Sequence, residues 1–437
     1  MTSAPTRNAD LDAAIADAEA AYVAANPKSR AQYEAACTAM PGGNTRTVLF
    51  YPPFPLTLSK GEGCHVRDAD GHDYVDFLGE YTAGLYGHSN PVILAALRTA
   101  LESGIVLGGH TMAEARLASA VCDRFPSIER LRFTNSGTEA NLMAVSTARA
   151  VTGRSKVMVM NGGYHGGVLY FAAPDMPVNA PFPYLKGRYN DVDGCRDLIR
   201  ANADDIACVI LEPMLGSAGC VPASRDFLAM LREETEKAGA LLIYDEVMTS
   251  RLDPGGLQGR HNVLPDLTTL GKYVGGGLSF GAFGGRADII DRYDPRRPDA
   301  IPHAGTFNNN VLTMSAGHAG LTDVYTVDAV APFNARGDRL RDRLNALCRD
   351  RGLPVQFTGM GSMLAVHFHD GEINDFDDVL AGRNELRPLL HLDLLSHGVY
   401  AARRGMFVLS LPMGEPEFDA LVNAVDEFLA TRGSLIG

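Results

Sequence analysis

Long apolar runs are absent from this sequence. No stretch approaches the roughly 18 apolar residues that a membrane helix needs, which excludes a helical membrane protein. The start is equally short of a secretory pattern. MTSAPTRNADLDAAIADAEAAYVAANP scatters acids where a basic stretch and then an apolar one would stand. The expectation is a cytoplasmic protein with no membrane partner. Basic residues are in deficit: 39 Lys and Arg stand against 52 Asp and Glu, for a formal charge of −13. Sequence-independent nucleic-acid binding needs Lys and Arg to displace counterions, so no nucleic acid is expected as a partner. Cysteine is scarce. Cys37, Cys64, Cys122, Cys195, Cys208, Cys220 and Cys348 are odd in number, widely spaced and form no Cys-x-x-Cys pair. That excludes a disulfide framework and a zinc site, and no metal is expected. Heptad arrays, short-period repeats and low-complexity tails are missing too.

What is there has an ordinary globular balance, 46% apolar and 21% charged over 437 residues, long enough for two or three lobes. Residues 9–24 place Leu11, Ile15 and Tyr22 near helical spacing and predict an amphipathic helix. From Pro41 to Pro53, Pro and Gly disfavour a helix and predict an irregular wrapping segment. HVRDADGHDYVDF alternates about Asp70-Gly71 as a hairpin does. From about residue 95 short apolar runs alternate with helical stretches. Leu131–Phe133, Lys156–Met160, Ile206–Leu211 and Ala240–Tyr244 read as buried parallel strands, and Asp226–Lys237 as a helix. The pattern predicts an α/β domain with a mostly parallel sheet. The stretch from Gly271 to Asn310 reads as loop-heavy. Helices are expected from near Val311, over Asn334–Arg349, over Asp377–Leu395 and over Glu417–Thr431, the last two in a smaller α+β lobe that begins near Pro354.

In open parallel sheets ligands bind at the carboxyl ends of strands, so the residues just past each strand are the candidates. After the first strand, Thr134-Asn135-Ser136-Gly137-Thr138-Glu139-Ala140-Asn141 joins a strand to a helix. Its amides and the helix dipole suit a phosphate, and Ser136 or Thr138 equally suits a plain N-cap. Asp245 and Glu246 follow another strand, and Glu212 a third, each as an edge carboxylate or a solvated acid. Tyr164 and His165 stand between glycine pairs after Lys156–Met160, where an aromatic can stack on a planar ring. Lys272 sits among Gly271, Gly275, Gly276 and Gly277. A partly buried lysine of this kind can have its pKa lowered and act as a nucleophile. A phosphate cradle, a stacking aromatic, an edge carboxylate and such a lysine together suit pyridoxal 5′-phosphate.

The motifs SGTEAN, GGYHGG, LEPM, YDEVMTSRL, LTTLGKYVGGGLSFGAFGGR and HAGTFNNN run in that order along nearly the whole chain. As a set they resemble the class III (subgroup II) aminotransferases of fold type I. The resemblance implies a large pyridoxal-phosphate-binding domain over 76–335. Residues 336–437 would form a small C-terminal domain, to which the helix and wrapping segment of 1–75 also belong. It implies that Lys272 bonds the cofactor aldehyde and then serves as general base, and that Asp245 pairs with the pyridine nitrogen. It implies that Val247 packs on the ring face opposite Tyr164 and that Ser136, Gly137 and Thr138 hold the phosphate. Glu212 would lie near the phenolic edge. Thr306 would reach the phosphate of a neighbouring subunit, making a homodimer with shared active sites.

Two branches of the family compete. PGGNTRTVLFYPPFPL and VYAARRGMFVLSLP look like the β-amino-acid branch typified by β-phenylalanine enzymes. The general outline is also shared with the glutamate-1-semialdehyde aminomutases, whose corresponding segments lack Arg46 at its place and the Arg403-Arg404-Gly405-Met406 pattern. A transaminase must recognise two carboxylates in one site, and arginine is their best partner. By resemblance Arg46 would bind the carboxylate of the β-amino acid, and Arg404 a carboxylate of glutamate or of the acceptor 2-oxoglutarate. Arg403 stands where the β-phenylalanine enzymes tend to have proline, and could share or alter that site. A non-catalytic, cofactor-binding regulatory protein is the remaining alternative, and no attached DNA-binding module or basic patch supports it.

Overall fold

The structure, a computed structural model, describes residues 6–173 and 176–437. Its centre is a seven-stranded sheet. The strands are β1 (Arg130–Thr134), β2 (Lys156–Met160), β3 (Tyr184–Gly187), β4 (Ile206–Leu211), β5 (Leu241–Asp245), β6 (Leu267–Gly271) and β7 (Gly281–Gly285). Their spatial order is β1-β7-β6-β5-β4-β2-β3. Only β7 runs antiparallel to its neighbours. The apolar runs are continuous because both faces are covered. Met158, Met160, Val209, Leu211, Leu242 and Tyr244 point to one face, under Phe227, Leu228 and Leu231 of the helix Arg225–Ala238. The alternate residues Val157, Val159, Ile210, Leu241 and Ile243 point to the other, under Ala140, Ala144, Val145 and Ala148 of the helix Gly137–Thr152. Each Val, Leu, Ile, Phe or Met side chain among these contributes about 1.5–3 kcal/mol by burial.

The glycine-rich stretch after Gly271 is mostly turn and loop, as expected, with one strand that the sequence reading does not anticipate. It contains β7, a fully buried strand wedged between β1 and β6. Its glycines fit a tight space: a Cβ on Gly281 would lie 2.1 Å from the Ser136 carbonyl oxygen, and one on Gly285 2.1 Å from that of Asp266. β3 and β6 also escape the sequence reading, and Asp245 is the last residue of β5 rather than the first after it.

The second lobe joins distant parts of the chain. The strands Leu58–Glu62, His65–Asp68 and Asp73–Asp76 form the expected hairpin and its extension, and Val399–Tyr400 adds to them in parallel. Gln356–Met360, Met363–His367 and Met406–Val408 make a separate antiparallel sheet. The first helix spans Thr6–Ala25 and buries Leu11 and Tyr22, and a second, Pro27–Cys37, follows it. Wrapping residues 41–53 hold only single 3-10 turns. The helix predicted over Asn334–Arg349 runs Val327–Asp350 through Pro332, so the expected boundary at 335 falls within it. The one predicted over Asp377–Leu395 breaks into Phe376–Ala381 and Arg387–Ser396 at Gly382, whose backbone is extended. All seven cysteines are free thiols. Among the described residues no helix is long and apolar enough to cross a membrane.

Candidate active site

A cavity of about 480 Å³ opens at the carboxyl ends of β1, β2, β4, β5 and β6, lined by Ser136, Gly137, Thr138, Tyr164, Glu212, Asp245, Val247 and Lys272 among others. Larger clefts of about 660 and 680 Å³ lie elsewhere and hold none of these groups. Parallel strands explain the convergence: every strand that ends here delivers its next residues to the same edge.

Asp245 forms the floor. Its Oδ2 accepts from Asn141 Nδ2 at 2.7 Å and from His165 Nδ1 at 2.8 Å, and its Oδ1 from the Val247 amide at 3.0 Å. Asn141 is fixed in turn, since its Oδ1 accepts from Thr269 Oγ1 at 2.6 Å. With Nδ1 donating to Asp245, His165 keeps Nε2 buried without a protein partner. Glu246, the neighbouring candidate, turns the other way, as adjacent strand residues do. Its carboxylate accepts from the amides of Leu257 at 3.0 Å and Gln258 at 2.9 Å, and holds the start of the helix Gly256–His261.

Lys272 follows β6 at φ +55°, a left-handed conformation costly for a side chain. Burial lowers its amine to about 8; the charges of Asp245 and Glu212 oppose that shift and Arg404 adds to it. Glu212 accepts from the Tyr164 amide at 3.1 Å and the Gly216 amide at 3.0 Å. Its carboxyl is pushed up to about 7, first by burial and then by the charge of Asp245.

Ser136 is the N-cap of Gly137–Thr152: its Oγ accepts from the Glu139 amide at 3.2 Å. The amides of Gly137 and Thr138 belong to the first turn, where a helix supplies no acceptor. Glycine is required beside them. A Cβ on Gly137 would meet both Val247 methyls at 2.9 Å, and one on Gly166, at φ +116°, would lie 2.3 Å from Thr138 Oγ1. Val247 is thus wedged against Gly137 and Gly271, and Tyr164 stays 39% exposed at the cavity.

The two arginines are anchored on one strained turn. Gly79, Glu80, Tyr81 and Thr82 have φ of +53°, +47°, +52° and +84°. Asp76 Oδ1 holds the entry by accepting from the amides of Leu78 and Gly79, and the buried Arg251 holds the exit by donating to the Thr82 carbonyl. Arg46 Nη1 donates to Glu80 Oε1 at 2.6 Å, and the Arg404 guanidinium stacks 4.8 Å from the centre of the Tyr81 ring. Tyr81 also donates to the Val48 carbonyl at 3.1 Å, tying the turn to the loop of Arg46. Arg46 lines the main cavity; Arg404 borders a second one beside it. Arg403 lines neither cavity; the Glu19 carboxylate is near it, and burial together with the charge of Arg403 holds the His391 ring neutral, down to about 3. Thr306 is exposed and outside the cavity, although Asn308 of its loop accepts from Asn135 at 3.0 Å. Sequence reasoning gave no role to Asn141, His165, Thr269, Glu80 or Tyr81. The first three stand inside the quoted motifs, which was the available signal.

These residues fit pyridoxal 5′-phosphate. Free helix-start amides can take the phosphate, a carboxylate held by three donors can face a ring nitrogen, and a lysine with no ion pair and a lowered amine can reach an aldehyde. Comparison with known proteins agrees. A family model described as aminotransferase class-III matches residues 50–413. The chain is 51% identical over 429 residues to the beta-phenylalanine transaminase of Variovorax paradoxus, covering 98% of this chain and 99% of that one. The crystal structure of a beta-phenylalanine aminotransferase from Variovorax paradoxus superposes with a TM-score of 0.96 at 52% identity, over 97% and 99% of the two chains. A transaminase solved with PLP bound gives 0.85 at 32% identity, over 94% and 98%. A glutamate-1-semialdehyde aminomutase from Pseudomonas aeruginosa PAO1 gives 0.89 at 25%, over 97% and 98%.

Proposed function

The chain belongs to the class-III aminotransferases, and on that premise we propose that it moves an amino group from a β-amino acid resembling β-phenylalanine to 2-oxoglutarate, yielding a β-keto acid and glutamate. The observation that carries the reading is the pair of arginines anchored on the turn Gly79–Thr82 beside the lysine and carboxylate cavity. Two recognition arginines suit two carboxylates presented in alternate half-reactions. The similarity to the beta-phenylalanine transaminase of Variovorax paradoxus supports the same donor.

Pyridoxal phosphate, when bound, supplies an aldehyde for the substrate amine and a ring that draws electrons from the carbon bearing it. Ser136, Gly137 and Thr138 are assigned to its phosphate, Tyr164 and Val247 to its ring faces, Glu212 to its phenolic edge and Asp245 to its ring nitrogen. Lys272 is assigned the proton of the amine-bearing carbon, which it takes and returns as a general base and acid. Arg46 orients the β-amino acid through its carboxylate, setting the β-carbon rather than the α-carbon over the lysine. Arg404 binds the carboxylate of glutamate or 2-oxoglutarate, and turns aside when an apolar side chain enters, because an unpaired buried charge is costly.

A homodimer completes the site in this reading. Val106 is 81% exposed, Met112 74% and Phe307 62%, and Asn309 ties their two segments together by donating to the Gly109 carbonyl at 3.3 Å. Such an apolar surface next to Thr306 suits a second copy that receives Thr306 at its phosphate. Free thiols fit a cytoplasmic place.

The test is a pair of half-reactions on the cofactor-loaded protein, followed by cofactor absorbance. β-Phenylalanine is expected to convert the aldehyde form to the amine form, and 2-oxoglutarate to reverse it. Silence towards β-phenylalanine, with 5-aminolevulinate formed from glutamate-1-semialdehyde and no acceptor added, would overturn the reading in favour of an aminomutase.

A further inference from the structure

Beside the main cavity lies a second one of about 220 Å³, bounded by the loop Gly216–Gly219, the helix Phe376–Ala381 and the side chains of Arg387 and Arg404. The loop is the partition: its Gly216 amide donates to Glu212 of the main cavity at 3.0 Å. Among the described residues no carboxylate lines this second space. Three buried polar atoms on its lining residues have no protein partner: Arg387 Nε, Arg404 Nε and Ser217 Oγ.

The charge is uncompensated. Arg387 Nη2 donates to the Val366 carbonyl at 3.3 Å and meets His367 Nδ1 at 3.4 Å. His367 Nε2 sits 3.1 Å from the Gly219 carbonyl, which leaves Nδ1 as the acceptor of a neutral ring. Burial and the charge of Arg387 hold that imidazole down to about 4. Burial and the charge of Arg404 likewise lower the Arg387 guanidinium to about 10, and no acid pulls it back. Among the described residues Arg404 meets the Met406 sulfur, at 3.4 Å from Nη2, and the Tyr81 ring, and no carboxylate. Two guanidinium groups turned on one small space without a counter-ion are costly. A group with several acceptor lone pairs would relieve both at once. The volume is several times the roughly 30 Å³ share of a water molecule, which leaves room for a small carboxylic acid.

We propose that this side cavity binds a carboxylate between Arg387 and Arg404, and that its occupation sets the enzyme's affinity for a dicarboxylate acceptor; the second clause rests on the function proposed above. The carboxylate comes either from a small acid free in solution or from the far end of the acceptor. In the first case it competes for Arg404 and weakens acceptor binding. In the second it is part of acceptor binding.

The test uses the cofactor-loaded enzyme and Arg387→Gln, with Arg387→Lys to keep the charge. Calorimetric titration with acetate is read first, because it needs no turnover. Then the KM for 2-oxoglutarate and for pyruvate is measured with and without acetate at constant ionic strength. Acetate binding that raises the 2-oxoglutarate KM in the native enzyme, lost in Arg387→Gln, supports the free acid. No acetate binding, with a roughly tenfold rise of the 2-oxoglutarate KM in Arg387→Gln and none for pyruvate, supports the acceptor's own carboxylate; that is the size of one charge-assisted hydrogen bond. In both cases Arg387→Lys retains most of the effect, and Arg387→Gln still accepts the amino group of β-phenylalanine, which reports an intact fold. Native acetate binding and native KM values in Arg387→Gln overturn the site. Failure of the native enzyme to use β-phenylalanine overturns the function proposed above and leaves the acetate titration to judge the cavity.

Discussion

Lys272 carries the sharpest pH consequence. Burial disfavours its ammonium form, so the neutral amine that attacks an aldehyde predominates above about 8 rather than above the ordinary 10.5. The rate at which cofactor-free protein takes up pyridoxal phosphate is therefore expected to rise with pH through a midpoint near 8. A midpoint near 10.5 would mean that the amine is not buried as described. Arg404→Ala separates the two half-reactions. It removes the guanidinium from the Tyr81 face while leaving Arg46 on Glu80, so the glutamate and 2-oxoglutarate steps are expected to weaken about ten- to hundredfold. The β-phenylalanine step should change far less, and equal losses in single-turnover measurements would sink the assignment. Asp245 and Glu212 were legible as carboxylates at the ends of apolar runs, and Lys272 as a lone lysine among glycines. Asn141 and His165 were not, because what makes them matter is a contact with Asp245 across 104 and 80 residues of chain.

The strand ends are precise because other contacts fix them. Glu246 pairs two helix-start amides and the Thr249 hydroxyl, at 2.8 Å, inside the core. Glu246→Ala leaves those donors buried and unpaired, and is expected to cost about 2–4 kcal/mol, seen as a lower denaturation midpoint. An unchanged midpoint would mean that water replaces the carboxylate. Gly281→Ala tests β7. Its new methyl would collide with the Ser136 carbonyl and Thr134 Oγ1, so it should loosen the helix start that follows β1. The expected outcome is a drop in stability of about 1–3 kcal/mol and weaker retention of pyridoxal phosphate on dialysis. The glycines of β7 carry a loop signal in the sequence, whereas in the fold they permit close strand packing.

The assembled particle is expected to have twice the chain mass of 46.8 kDa. Val106→Glu puts a charge on the most exposed apolar residue of the surface beside Thr306, and should shift sedimentation towards single chains with loss of activity. A fully active single chain would remove Thr306 from the shared site. The two lobes also meet in ways no local pattern announces. Val399–Tyr400 joins the hairpin sheet of residues 58–76, and Arg251 links the turn Gly79–Thr82 to Ser362 and to the Leu409 carbonyl.

The order of apolar runs and the residues just past them sufficed for the α/β class, the candidate edge carboxylates and the candidate turn at the helix start, and the glycines around Lys272 for the candidate lysine. These follow from chain-local rules: a buried parallel strand is a short apolar run, and its ligand-facing residues come next in the chain. Tertiary structure alone decided that Arg404 stacks on Tyr81, that Glu246 supports a helix while Asp245 faces the cavity, and that Arg387 joins Arg404 around a second space. Each of these depends on the direction of a side chain and on partners scores of residues away, and the spacing of neighbours along the chain carries no record of either.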